Sequence, residues 1–331
     1  MFTRCKKFVI ILLSLMVMSL WLAACGAGKT NEGAGNSTGS STATEAPAAG
    51  NETSERKLTD AIGNEVTIPA NPQRIIATYL EDYLVALGVK PVAQWSVANG
   101  KQEYLQEQLG DIPTIAYDLP FEAVTSFNPD LLIIGSNSMV EGDKYSQYSK
   151  IAATYTLGDE ISGDWRKALL KIGEVLGKSD EAQKVLDAYE AKAKEAKAKL
   201  QATAAGESVA AIWLVKKNFY VVSDKLSSGA VLYQDLGLEA PAVVKEIAAS
   251  GTGNWNAISL EKLAELDADH LILVNSDTDT GSEALKDPLW QSIPAVKNGN
   301  VYEFPRTSSW LYYGPIASAR MIDDVLETIA K

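Results

Sequence analysis

Short, mainly apolar runs recur along the chain at Arg74–Thr78, Leu131–Ile134 and His270–Val274. Runs of this length and composition are expected of strands covered on both faces in a parallel sheet. Leu58–Pro69 alternates instead, with Gly63-Asn64 at its centre, the signature of a hairpin. Between the runs the apolar spacing becomes helical. A helix is predicted over Asp82–Leu87, stopping at Gly88, and a strand begins at Pro91–Gln94. Beyond Gly206 the strand pattern resumes at Ser208–Val215, turns at Lys216-Lys217-Asn218, and continues through Phe219–Val222 and Asn300–Phe304. Gly314-Pro315 opens a last helix, with proline in its first turn. Strands alternating with helices predict an α/β fold of two Rossmann-like lobes with mainly parallel central sheets.

The middle of the chain has a different texture. Asp164–Leu176 is amphipathic, Gly177-Lys-Ser179 interrupts it, and Asp180–Ala204 contains neither Pro nor Gly. That last stretch is dense in Ala, Lys, Glu and Gln, all strong helix formers. About 25 residues at roughly 1.5 Å each would span nearly 40 Å. Its apolar positions do not keep a heptad, which argues against a coiled coil. The organisation is therefore an N-terminal lobe over 57–163, connecting helices over 164–205 and a C-terminal lobe over 206–331. One rigid helix as the only connection implies a hinge change of a few degrees.

The two lobes share a repeated segment. Leu119–Ile134 aligns without a gap on Ile258–Leu273, placing Glu122 on Glu261 and Asp130 on Asp269, each 139 residues apart. Each copy has apolar residues at helical spacing, then an acidic turn, then a strand. Each also carries one glutamate on the first turn of its helix.

Composition and the chain's amino end narrow the function. Arg4, Lys6 and Lys7 precede an apolar run from Phe8 to Ala24, the form of a signal peptide over 1–24. It closes with Leu22-Ala-Ala-Cys25, which resembles the lipobox of bacterial lipoproteins; that resemblance implies a diacylglyceryl thioether on Cys25. Residues 26–56 are Gly, Ser, Thr, Ala, Asn and Glu with little apolar bulk, so 25–56 reads as a flexible tether holding a domain off a membrane. The chain has 30 Lys+Arg, 42 Asp+Glu and a formal net charge of −12; loss of 1–24 removes three basic residues and leaves about −15. Nucleic acid is an unsuitable partner for such a surface. With Cys5 in the signal and Cys25 lipidated, the exported domain has neither a disulfide nor a metal-binding thiolate.

Several segments in order carry a wider resemblance. They are Leu58–Pro69, Asn71-Pro-Gln-Arg-Ile-Ile76, Leu87-Gly-Val-Lys-Pro-Val92, Phe127–Ile134, Asp287-Pro-Leu-Trp290 and Ile293–Tyr302. Together they resemble the siderophore-binding lipoproteins of bacterial ABC importers, a periplasmic-binding-protein class in which one long helix joins two α/β lobes. The resemblance covers 57–331, and Ser309-Trp-Leu-Tyr-Tyr-Gly-Pro-Ile316 looks most like the ferric hydroxamate and hydroxamate-citrate binders of Gram-positive bacteria. It implies a monomer on the extracytoplasmic face of the cell membrane, delivering a ferric siderophore to an ABC permease dimer with its ATPase. It further implies that Glu122 and Glu261, one per lobe, dock onto permease arginines. The plain alternative for each is a carboxylate offsetting a helix dipole.

A siderophore wraps Fe³⁺ in six oxygens, so neither a cofactor nor metal ligands of the protein's own are expected. The single histidine, His270, falls within an apolar strand and reads as a hydrogen-bonded interior residue. In open α/β sheets ligands bind at strand ends. The residues there that suit a chelate are Tyr79, Trp95, Asn137, Ser138, Trp213, Trp255, Arg306, Trp310, Tyr312 and Tyr313. Aromatic faces pack against apolar spacers, while phenol, indole N–H and guanidinium donate to chelate oxygens. Of the ten, Trp310 with Tyr312 and Tyr313 forms the strongest cluster. One arginine, with Lys216 and Lys217 placed in a solvated turn, suits a neutral or mildly anionic complex rather than a tris-catecholate. Catecholate, haem and cobalamin carriers of the same fold remain alternatives, as does a surface adhesin. A serine hydrolase is disfavoured because Gly135-Ser-Asn-Ser-Met139 lacks the closing glycine of a nucleophile elbow.

Overall fold

The computed structural model describes residues 54–330 apart from 99, 252 and 278–282. The expected signal segment, Cys25 and the tether as far as residue 53 lie outside the described residues.

The alternating segment forms the hairpin β1 (Arg56–Thr59) and β2 (Glu65–Ile68), with Arg56 opposite Ile68. Asp60 closes the turn by accepting the N–H groups of Ile62 and Asn64. The first sheet follows, with β3 (Ile75–Ala77), β4 (Ala93–Ser96), β5 (Thr114–Ala116), β6 (Leu131–Ile134) and β7 (Ala153–Thr156). Its order is β5-β4-β3-β6-β7 and every pairing is parallel. β3 and β6 are buried at every position, which accounts for their continuous apolar character.

In both lobes the repeat's acidic residue performs the same task. Asp130 accepts the N–H of Gln73 at 2.7 Å and of Arg74 at 3.0 Å, just before β3 begins. Asp269 accepts the N–H and the hydroxyl of Ser208, both at 2.8 Å, just before β8 (Val209–Val215). Each acid's own N–H returns a bond to the neighbouring strand's approach, at Arg74 O or Ser208 O. A carboxylate on the turn into one strand thus holds the start of the strand beside it. The Ser208 N–H is the first cause holding the Asp269 carboxyl below its ordinary range.

The second sheet adds β9 (Asn218–Val222), β10 (Trp255–Ile258), β11 (His270–Asn275) and β12 (Val301–Pro305), in the order β10-β9-β8-β11-β12. This sheet is mixed, with four strands running in one sense and one against them. β8, β11 and β12 are parallel, but β9 is antiparallel to both β8 and β10. The cause is the two-residue turn Lys216-Lys217, whose φ values of 50° and 62° are left-handed at both positions. Such turns favour Asn or Gly. Here the buried Asp277 holds the geometry, its two carboxylate oxygens accepting the Lys216 and Lys217 N–H groups at 2.6 Å each.

Between the sheets runs the helix Trp165–Leu176, capped by Asp164 and ended by Gly177 at φ 66°. The 25-residue spanning helix Ser179–Thr203 follows it. Arg166 ties these helices to the second lobe, bonding Glu190 through Nε at 2.6 Å and Asp235 through Nη2 at 2.8 Å. Its guanidinium lies over the rings of Trp165 and Tyr189, and Tyr189 Oη donates to Asp235 at 2.6 Å. The spanning helix is not the only tie. The last helix, Pro315–Thr328, packs against it and against the first-lobe helix Glu81–Ala86. Lys192 on the spanning helix pairs with Asp323 on the last helix at 2.6 Å.

The helix Glu81–Ala86 begins where the chain leaves β3. One residue past the β3–β4 pairing, the Trp95 N–H donates to Glu81 Oε1 at 2.6 Å. Glu81 is 1% exposed and its Oε2 has no partner among the described residues. Burial pushes its carboxyl up to about 8. A carboxyl that holds its proton more tightly when folded adds stability that is complete below its unfolded pKa and lost as pH rises through its folded one. Glu81→Gln removes that dependence. In denaturant titrations the variant should gain on wild type by roughly 1–3 kcal/mol between pH 6 and 9. A gap that does not change with pH would show that Glu81 ionises freely.

Candidate functional site

The ends of the parallel strands carry the candidate residues. After β3 the chain turns at Tyr79, a bulky residue held at φ 60°. Backbone in this region costs a tyrosine about 1–3 kcal/mol, so its surroundings must impose it. Thr78 Oγ1 accepts the Gly135 N–H at 2.7 Å, and Gln102 Nε2 donates to Tyr79 O at 3.3 Å. The turn brings the Tyr79 ring edge-on to Trp95, with centroids 5.0 Å apart. Trp95 is oriented in turn by its indole N–H, which donates to Tyr117 O at 3.0 Å.

Tyr312 reaches this pair from the second lobe. It follows β12 and a short 3₁₀ turn, and its ring lies 6.0 Å from Tyr79 and 5.0 Å from Tyr104. Its hydroxyl donates to Lys101 O at 2.8 Å. Four rings therefore form one floor across the lobe boundary. Tyr104, absent from the sequence-derived set, is its most buried member at 6% exposure; Tyr79, Trp95 and Tyr312 are half-buried. Burial is the first cause raising the phenols of Tyr79, Tyr312 and Tyr313 above their ordinary value. They stay protonated near neutral pH and serve as neutral hydrogen-bond donors.

A second aromatic group stands on the other sheet. Trp213 of β8 lies opposite Tyr220 of β9, with centroids 5.4 Å apart, and 6.1 Å from Trp255 of β10. The Trp213 indole donates to Ser276 Oγ at 2.8 Å. The Trp255 indole nitrogen is enclosed yet has no partner among the described residues. Tyr220 could have been found by pairing the two strands across the Lys216-Lys217 turn.

The remaining candidates separate. Trp310, expected to stand in the cleft with Tyr312 and Tyr313, is 0% exposed. The 3₁₀ turn points it inward, where it packs on Phe304 at 5.5 Å and donates to Asp324 at 2.8 Å on the last helix. It is a core residue and leaves the ligand set. Asn137 and Ser138 lie in the turn after β6; the Asn137 N–H donates to Asp159 at 3.2 Å, and Ser138 Oγ is 2.9 Å from Ser136 Oγ. Arg306 is exposed after β12 and reaches the first lobe. A Cβ on Gly100 would stand 3.5 Å from its Nη1 and 3.5 Å from Glu103 Oε1. His270 is interior, with Nε2 2.7 Å from Glu207 and Nδ1 3.1 Å from Tyr302 Oη. Among the described residues no cluster of His, Cys, Asp or Glu converges as a metal site.

Glu122 and Glu261 are both exposed on the first turns of the helices Phe121–Ser126 and Leu260–Leu263. Each helix begins shortly after a strand, β5 or β10, that runs in the same sense as the parallel strands of its sheet. Both glutamates therefore stand at the sheet edge where those strands finish.

The periplasmic binding protein family model matches residues 77–307. The chain is 30% identical to the iron-uptake system-binding protein of Bacillus subtilis over 88% of its own length and 89% of the relative's. It is 27% identical to the iron(3+)-hydroxamate-binding protein FhuD of the same organism, over 94% of each. Among solved structures it is similar to Staphylococcus aureus SirA complexed with staphyloferrin B. The TM-score is 0.68 at 26% identity, over 82% of this chain and 98% of that one. The fold, the floor spanning two lobes and these matches lead to one assignment: the chain belongs to the periplasmic binding protein family.

Proposed function

We propose that this chain is a lipid-anchored solute-binding protein that captures a ferric siderophore between its lobes and delivers it to an ABC permease with its ATPase. The observation that carries this reading is the aromatic floor of Tyr79, Trp95, Tyr104 and Tyr312, built by both lobes together. The Tyr79 phenol can donate to a chelate oxygen, the Tyr104 and Tyr312 hydroxyls being engaged by Asp82 and Lys101 O, and ring faces cover the apolar spacers. The iron is cargo already held by the siderophore, so the cleft has only to recognise the organic shell. Exposed Arg306 at the rim suits a neutral or mildly anionic hydroxamate or hydroxamate-citrate complex. The name of one relative, an iron(3+)-hydroxamate-binding protein, supports this class, while a neighbour of the same fold that binds a triscatecholate siderophore keeps the catecholate alternative.

The paired glutamates fit docking. Both are exposed and each lies on the first turn of its helix, at matching positions of the repeat. A permease that bridges the two lobes would engage one from each. For the anchor, Leu22-Ala-Ala-Cys25 supplies the acceptor cysteine, and relatives carry the name lipoprotein.

Three outcomes are expected. Titrating ferrichrome or a ferric citrate-hydroxamate against intrinsic fluorescence should give tight binding, weakened about tenfold (~1.4 kcal/mol) by Tyr79→Ala or Tyr312→Ala. Exclusive binding of a ferric catecholate, haem or cobalamin would instead reassign the ligand class. Combined Glu122→Ala and Glu261→Ala should leave that affinity unchanged while iron uptake by cells is lost, and uptake at the normal rate would remove the docking role. Cys25→Ser should shift the protein from the membrane fraction to the soluble fraction; retention on the membrane would argue for another anchor.

A further inference from the structure

Asp82 lies beside Glu81 on the first-lobe helix and is 0% exposed. Its bonds leave that lobe. Oδ1 accepts the Ile316 N–H at 2.9 Å, and Oδ2 accepts the Ala317 N–H at 2.9 Å and the Tyr104 hydroxyl at 2.7 Å. Ile316 and Ala317 open the 14-residue last helix, which enters from the second sheet. A helix start leaves N–H groups without intrahelical partners, and a side chain from the preceding residue commonly accepts one. Here that residue is Gly314, which has no side chain to offer. The first-lobe carboxylate fills the role, with a charge that suits the positive end of the helix.

The approach is close enough to determine the residue it meets. Gly314 has φ 144°, and a Cβ there would stand 2.7 Å from Asp82 Cγ and Oδ1. Arg320, one turn along the last helix, faces the same carboxylate and donates to Tyr104 O at 2.9 Å; Glu81 and Tyr83 flank it on its own helix. Tyr312 and Tyr313 immediately precede Gly314. Asp82 therefore holds this segment twice, through the helix start that follows Tyr312 and through Tyr104, whose ring Tyr312 touches.

We infer that Asp82 is a positioning residue of the ligand cleft: from beneath the aromatic floor it fixes where the second lobe presents Tyr312 to Tyr79 and Trp95. The inference rests on the siderophore reading above, and affinity then depends on a carboxylate that the ligand does not touch. An amide at this position would turn an N–H toward donors that need an acceptor.

A double-mutant cycle tests it, with affinity for ferrichrome and for a ferric citrate-hydroxamate read by fluorescence quenching. Asp82→Asn should weaken binding about tenfold in the wild-type background and less than about threefold in Tyr312→Ala, because its effect passes through that ring. Equal losses in both backgrounds, or unchanged affinity in Asp82→Asn, would overturn the assignment. Should Asp82→Asn not fold, Gly314→Ala presses on the same carboxylate and carries the same cycle. Amide exchange of the ligand-free protein reads the joint alone. The segment 314–320 should exchange faster in the variant while β6 does not change, and equal exchange would also overturn the inference. If exchange changes as expected but wild type binds neither ferric probe, the siderophore reading fails rather than the joint.

Discussion

The chain passes between its lobes once in mid-sequence, so the placement of one sheet against the other depends on what grips the spanning helix. Arg166 supplies that grip. Its planar guanidinium matches two carboxylates at once, Glu190 on the spanning helix and Asp235 in the second lobe, while its faces rest on Trp165 and Tyr189. The Asp235 side chain is only 12% exposed, which makes this bond less screened than a surface pair. Loss of the arginine would leave that carboxylate enclosed without its counter-charge, the costly half of a broken ion pair. With this grip and the last helix in place, Tyr312 of one lobe can rest on Tyr79 of the other.

Acidic residues do much of the structural work in this acidic protein. Asp130 and Asp269 hold strand starts, Asp277 holds a strained turn, and Glu81 completes the bonding of β4. Asp324, pushed up to about 6 mainly by burial, receives the Trp310 indole. The cleft itself uses little charge. The floor is built of neutral phenols and an indole, an arrangement that suits the organic shell of the proposed cargo.

The parts of the fold legible in the sequence were those whose pattern is set by local chemistry. β3, β6 and β11 are buried on both faces and read as apolar runs, and residues 179–203 read as helix because no breaker interrupts them. β5 and β7 were missed, since three or four residues at a sheet edge carry too short a period. The turn between β8 and β9 was legible at Lys216-Lys217-Asn218, although Lys-Lys is unusual there and relies on Asp277 sixty residues away; β10, which pairs antiparallel with β9, was missed. The site was legible in its residue types and less so in their directions. Tyr79, Trp95 and Tyr312 meet as a group, whereas Trp310 turns inward because Asp324, fourteen residues on, offers an acceptor. Asp82 and Tyr104 gave no signal, because their role appears only when two distant segments are brought together.

The last helix also bears on the order in which the molecule can assemble. The outer face of each sheet is closed by its own lobe: Ile76, Leu132 and Tyr148 belong to one such core, Ile212, Leu273 and Trp290 to the other. The core between the lobes is different. It joins Ile75 and Leu131 to Ile272 and Val274 and is completed by Met321, Ile322 and Val325. A chain lengthening from its amino end can bury the first outer face early and the second once Ala295 has been added, but it cannot seal the inner one until the helix Pro315–Thr328 exists. Contacts this distant in sequence form slowly because the intervening chain must first be closed into a loop. During synthesis the half-built protein therefore carries an apolar surface that only its own carboxyl end can cover, and truncation there would expose the interior of both lobes.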